Sequence, residues 1–476
     1  MNAPAAPARV AAGSAWAGVR GTDLHGGLGR LLARSRTLWA RPSWLVAFTV
    51  LSVAVPTGGG RVGTGAHASP GDAVSLVLVV IAGALWTRAR IQGRDPVFVP
   101  RAVALVLAGL VVAAGITTVA SADSAAGLVG WVRQTQVLVL VPLAVMVSLR
   151  DRRDVAIVVG ALVALGTGEA AFGVWQTFTG NGALYAGRLV RAVGTFGALD
   201  VMAMATLCGI VLIAVVALAL TAPDGRRRAA WLAVAAVVAA GLVCSLSRGS
   251  WIAALVGVLV VLLRFDARLT LRLGLSALAA SVVVVGGFGV GAGTVGTRTE
   301  SILAAVNDPD RSVGDRYNLW ETAARMWEDH PGTGVGPKNF PAYRDAYAPL
   351  GLSGGSDTAD AATGYVREPL LSPHDQYLMF LSEQGLLGAG AFVLALGALH
   401  AGLWRGRRDT ADGHWLMCVG VTSAMTVNFL YSDMGGPTTV LMGIMLGVAA
   451  RHTWPAAPHG QGAASGVVSG RPEAAR

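Results

Sequence analysis

Three arginines and one histidine carry the chemistry this sequence offers: Arg191 in RAVGTFG, Arg248 in SLSRGSW, Arg316 in GDRYNLW and His374 in SPHDQY. Each lies at or near the edge of an apolar run or in the one long polar stretch. Charge close to membrane depth is expensive and usually faces a working cavity. A guanidinium presents a planar fork matched to phosphate oxygens. Several arginines facing out of a bundle, with one histidine beside them, describe an anion site, one that a lipid diphosphate would suit. An imidazole titrates near working pH, so His374 is a candidate base for an attacking hydroxyl. Arg133 in WVRQTQ, Arg188 in GRLVRAVG and Asp375 beside His374 are secondary candidates. The aspartates of the polar stretch are scattered without a D-x-D pair, and no P-loop is present, so neither a metal nor a nucleotide cofactor is expected.

The elements that must position these groups are membrane spans. The chain has 476 residues, 54% hydrophobic and 13% charged, with mean hydropathy +0.58. That composition is a polytopic membrane protein, and the expected fold is all-α. Apolar runs near 38–56, 73–87, 102–119, 127–148, 155–177, 198–220, 230–246, 250–263, 273–293, 385–404, 414–431 and 438–451 predict about twelve spans. The expected organisation is a disordered amino-terminal segment 1–37, spans over 38–293, an outer loop 294–373, spans over 374–451 and a disordered tail 452–476. Residues 1–37 lack an apolar core, so the first span is expected to act as an uncleaved signal-anchor. The three cysteines lie inside apolar runs and suggest no disulfide framework.

The net charge of +10 is almost all arginine, with Lys338 the one lysine. The basic residues are dealt out in short clusters between apolar runs, a topology signal rather than a nucleic-acid footprint. Counting alternate short loops, sixteen arginines fall on one side, in the clusters 88–101, 150–153, 226–228, 264–272 and 405–408. Four fall on the other, Arg61, Arg188, Arg191 and Arg248. Positive charge collects in the cytoplasm. Both termini are therefore expected inside a bacterial cytoplasmic membrane and the long loop outside.

That loop is expected to be folded. From Arg316 to Asp329, Trp320, Ala323, Ala324 and Trp327 recur at helical spacing. Asp315 or Asn318 could cap the start, and His330-Pro331-Gly332 stops the helix. The small polar residues of 351–369 suggest a mobile lid.

Read in order, Arg316, Trp320, Ala323, Pro331, Gly334, Gly336 and Phe340, then His374-Asp375-Gln376-Tyr377-Leu378 and Glu383-Gln384-Gly385-Leu386-Leu387-Gly388, resemble the O-antigen ligase/polysaccharide polymerase superfamily (Wzy-C type). GVWQ at 173–176, RAVGTFG and SRGSW also sit where that family places such segments, and the resemblance covers roughly residues 100–450. It implies a GT-C-like, metal-independent glycosyltransferase. Such an enzyme would move a glycan from undecaprenyl diphosphate to a glycan, lipid or protein acceptor on the outer membrane face. It further implies His374 as base and Arg191, Arg248 and Arg316 as diphosphate ligands. Two positions depart from the family pattern: Asp375 stands where Asn is usual, and Ala198-Leu199-Asp200 replaces an N-P-N run. The alternative is a transporter or lipid-glycan flippase. That reading calls for inverted repeats and helices broken near mid-membrane. No self-similarity relates the two halves, and the polar residues gather outside.

Overall fold

The computed structural model describes residues 41–56, 69–93, 99–185, 188–282, 311–360, 364–406 and 411–454. Among them, eight helices are long and apolar enough to cross a membrane. These are α2 (Pro70–Ile91), α3 (Arg101–Val119), α4 (Ser124–Ser148), α5 (Arg152–Thr179), α6 (Val201–Leu220), α7 (Gly225–Cys244), α8 (Arg248–Phe265) and α12 (Gln376–Gly406). The chain is a multi-pass membrane protein. Shorter helices occupy the remaining expected spans: α1 (Ser43–Ser52), α9 (Ala267–Val282), α13 (Gly413–Asn428) and α14 (Thr438–Thr453). The end of the expected 273–293 span lies outside the described residues, as do most of both terminal segments.

Local chemistry sets the helix boundaries. Ser69 and Asp72 form a capping box on α2, and Asp151 and Asp154 form one on α5. Arg41 reaches both carboxylates of the second box, at 2.9 and 3.0 Å, and so ties α1 to the start of α5. Within α4 the turn over Gln136–Leu140 is π-helical, ahead of Pro142. Proline brings no N–H to the ladder, and a wide turn absorbs the mismatch.

The bundle is built around α6, with 78% of its apolar window buried. It packs against α5, α7, α8 and α13. The α8–α13 crossing is close because glycines meet there: a Cβ on Gly257 would stand 2.9 Å from the Gly420 carbonyl.

The loop region departs from an all-α expectation. Strands β1 (Ala183–Tyr185), β2 (Arg188–Arg191), β3 (Ser356–Asp360) and β4 (Gly364–Glu368) form one antiparallel sheet in the order β2-β1-β3-β4. Leu184 pairs with Ala359 and Tyr185 with Thr358. The segment expected as a mobile lid is thus a hairpin joined to the hairpin that follows α5. Short strands at a turn carry too little hydrophobic alternation to announce themselves.

Helix α10 runs Arg311–Asp329, beginning earlier than its apolar pattern indicated. Neither Asp315 nor Asn318 caps it; both lie inside. The Asp315 carboxylate instead accepts from the Ser353 amide (3.0 Å) and hydroxyl (2.7 Å), holding down the 351–355 stretch. The buried stripe is Leu319, Ala323 and Met326, packed with Val335, Phe340 and Leu370, while Trp320 and Trp327 flank it half-buried. A further helix, α11 (Phe340–Tyr347), packs on α10.

Candidate functional site

The loop is locked to the membrane bundle by backbone pairing. Helix α12 breaks at Gly385, whose φ of 58° and ψ of −160° are accessible essentially to glycine alone. Carbonyls freed by the break receive the passing loop: Val335 N–H donates to Ser382 O (3.0 Å) and Gly336 N–H to Glu383 O (2.8 Å). Beyond the break, Leu386 N–H donates to Pro331 O (2.9 Å) and Leu387 N–H to Gly332 O (3.2 Å). The approach leaves no room for side chains. A Cβ on Gly334 would overlap the Glu383 backbone, and one on Gly385 the Gly332 backbone. The spacing of glycines in PGTGVG and EQGLLG is therefore the spacing of an interlock.

That interlock sets the position of α10 against the start of α12. Trp320 Nε1–H on α10 donates to Pro373 O (3.0 Å), immediately before His374. Gln376 N–H donates to Phe429 O (2.8 Å), joining the start of α12 to the end of α13. Between these two anchors His374 takes a left-handed φ of 49°. Such a backbone costs about 1–3 kcal/mol in a non-glycine residue and persists only where its surroundings impose it. Leu246, two residues before Arg248, and Lys338 share this feature, at 52° and 61°.

Four segments converge on the turn after α13. Arg316 Nη1 donates to Tyr431 O (2.7 Å). Gly249, beside Arg248, lies so close that an added Cβ would stand 2.8 Å from the Tyr431 side chain. Arg191 Nη2 donates to Leu246 O (2.9 Å), in the turn leading to Arg248. His374 feels the charges of both Arg316 and Asp433. Burial lowers its pKa below the ordinary imidazole value; the Arg316 guanidinium lowers it further and the Asp433 carboxylate opposes both. Arg316, His374 and the start of α8 that bears Arg248 thus neighbour the turn after α13 that carries Tyr431 and Asp433, and Arg191 contacts the turn leading to Arg248.

The GVWQ and RAVGTFG segments hold Arg191 in place. Gln176 Oε1 accepts from Val193 N–H (3.1 Å) and Gly194 N–H (2.9 Å), and its Nε2 donates to Gly194 O (2.9 Å). One amide thus reads the loop that follows β2. Glu169 accepts from the Thr195 amide and hydroxyl, each at 2.8 Å.

The secondary candidates divide. Asp375 Oδ1 accepts from Leu378 N–H (2.9 Å), so it caps α12; burial raises its pKa. Asparagine caps as well as aspartate, which accounts for either residue after the histidine. Arg188 lies on β2, paired in register with Tyr185. Arg133 is not in the cluster: it is ion-paired with Asp72 on α2.

Asp433 was missed in the sequence. It sits in YSDMGGP, a short polar break between two apolar runs, and nothing in its spacing ties it to a histidine 59 positions earlier.

Comparison with known proteins agrees with the resemblance in the sequence. The family model described as O-Antigen ligase matches residues 233–393, about a third of the chain, supporting its place in the O-antigen ligase-like superfamily. No curated protein matches. Among solved structures, one titled "Structural coordination of polymerization and crosslinking by a peptidoglycan synthase complex" aligns with 16% identity and a TM-score of 0.39, covering 74% of this chain and 97% of the other.

Proposed function

From the O-antigen ligase family match over residues 233–393, we propose that the protein is a lipid-diphosphate-dependent glycosyltransferase on the outer face of the cytoplasmic membrane, with both termini inside. It moves a glycan from undecaprenyl diphosphate to an acceptor hydroxyl. The observation that supports this reading is the contact of Arg316 with the Tyr431 carbonyl, next to His374 and to the start of α8 that bears Arg248.

In the proposed step the acceptor oxygen attacks the anomeric carbon of the donor sugar. The bond from that carbon to the diphosphate oxygen breaks, and undecaprenyl diphosphate leaves with the electron pair. The arginines neutralise the charge as it develops, which is where electrostatic stabilisation counts most. His374 Nδ1 or Nε2 takes the acceptor proton. Its lowered pKa keeps the ring neutral near pH 7, the form a base requires. Asp433 stabilises the imidazolium that results.

The test is transfer by the purified full chain in liposomes, with an undecaprenyl-diphosphate-linked oligosaccharide as donor. Lysine keeps the charge but loses the fork, and a charged hydrogen bond contributes about 1.5–3 kcal/mol. Arg248→Lys and Arg316→Lys should each lower transfer by at least about ten-fold. Full activity in both variants would reduce the arginines to a generic positive potential, and release of undecaprenyl diphosphate without transfer would remove the acceptor step.

A further inference from the structure

The loop that follows β2 lies along one face of α5. Glu169 and Gln176 stand two turns apart on that face. Gln176 holds Val193 and Gly194, and Glu169 holds Thr195. The fit is close: a Cβ on Gly194, at a φ of 62°, would overlap Glu169 Oε2, and one on Gly173 would stand 3.1 Å from the Ala192 side chain.

At Thr195 the hydrogens run short. Its Oγ1 lies 2.8 Å from Glu169 Oε1 and 2.8 Å from Ala54 O, just past the end of α1. Two oxygens at this distance need a hydrogen between them. The hydroxyl has one and the carbonyl has none. An ionised carboxylate brings none either, so the hydroxyl could then serve Glu169 or Ala54 but not both. A carboxylic acid supplies the missing hydrogen. Its second oxygen, Oε2, still accepts from the Thr195 amide (2.8 Å).

The surroundings favour the neutral form. Glu169 is 5% exposed inside a membrane-crossing helix, and among the described residues no cation pairs with it. An unpaired carboxylate in such a place is costly. Of the elements packed on α5, α1 carries no titratable side chain, and α6 faces Glu169 with Cys208. Gly241 of α7 packs on Ala170, which puts Cys244 nearby and Arg226, Arg227 and Arg228 about 20 Å back along that helix. Strand β2 carries Arg188 and Arg191, and Arg191 reaches away to Leu246 O.

We propose that Glu169 is a protonated acid in the working protein and donates to Thr195 Oγ1. It is a positioning residue: the Thr195 hydrogen, freed for Ala54 O, ties the loop that holds Arg191 to α1. Loss of the Glu169 proton to bulk water turns the hydroxyl back onto the carboxylate, and the tie to α1 opens as pH rises. The link to transfer rests on the glycosyltransferase reading; the protonation does not.

Infrared spectroscopy of the full chain in liposomes tests the protonation. At pH 7 the difference between wild type and Glu169→Gln should contain the C=O band of a carboxylic acid. Thr195→Val should move that band by removing its hydrogen-bond partner. Absence of the band, or a band that Thr195→Val leaves in place, would overturn the proposal. Transfer assays test the positioning. An amide donates from Nε2 and accepts at Oε1, so Glu169→Gln should keep transfer at pH 7 within about two-fold, while Glu169→Ala should lower it at least about ten-fold. An amide cannot ionise, so the fall of wild-type transfer at alkaline pH should be absent in Glu169→Gln. A loss of about ten-fold in Glu169→Gln at pH 7, or an unchanged alkaline fall, would sink the positioning role. A chain that shows the band yet transfers no glycan keeps the protonated Glu169 and loses the glycosyltransferase reading, so the two fail separately.

Discussion

At the scale of single residues, His374 combines a strained backbone with a charged neighbour of each sign. His374→Ala should lower transfer by about 10²- to 10⁴-fold, the usual share of general-base catalysis. Donor binding, read by titrating the full chain in detergent with undecaprenyl phosphate, should stay within about two-fold, because alanine at 374 leaves the Arg316 contact with Tyr431 O in place. The neutral imidazole is the active form, so the rate should fall on the acid side, with an inflection below the ordinary histidine value because burial depresses the pKa. Asp433 raises that pKa. Asp433→Asn should therefore move the inflection to lower pH, and a pH–rate profile with unmoved limbs would detach Asp433 from the histidine. The same depression has a sign for stability. The folded chain binds fewer protons at His374 than the unfolded chain, so stability is fully kept above the unfolded pKa and is lost as pH falls from there through the lower folded pKa. The arginines were visible in the sequence as charges out of place in apolar surroundings. Asp433 was not, because an aspartate in a polar turn has no periodicity to betray its partner.

At the scale of elements, the decisive device is the pairing of PGTGVG with the broken start of α12. Glycine at 385 answers two demands at once, a backbone conformation closed to other residues and the approach of Gly332. Gly385→Ala should destabilise the protein by at least about 1–3 kcal/mol from backbone strain alone, seen as a lowered melting temperature in detergent. Gly390, in the same helix, has nothing within 4 Å of an added Cβ. Its change to alanine should hold stability or raise it by up to about 1 kcal/mol. Equal losses at both positions would mean that helix propensity, not the interlock, governs this region. The glycine spacing could be read in the sequence; that the two motifs pair with each other could not, because backbone hydrogen bonds between distant segments leave no residue signature. The same blindness hid the four-stranded sheet and turned its outer hairpin into an expected lid.

At the scale of the whole molecule, the proposed orientation can be checked by labelling. With Cys208, Cys244 and Cys418 replaced, a cysteine at Leu350, a fully exposed position of the long polar loop, should react with an impermeant maleimide in intact cells. A cysteine at Arg226, just inside the start of α7, should react only after permeabilisation. The reverse pattern would invert the protein and with it the site. The membrane character, the helical class and the resemblance to the O-antigen ligase family were open to inspection in the chain itself, because hydrophobic run length and ordered motifs are local quantities. The eight long helices answer to those runs. Which arginines meet was a matter for the tertiary structure alone. Arg191, Arg248 and Arg316 come from a strand, a helix start and a loop helix, and Arg133, equally conspicuous as a charge beside an apolar run, faces another flank altogether. Charge at an apolar edge reveals that a group must have a partner, but direction is set by helix rotation and loop closure, and those follow from contacts between segments far apart in the chain.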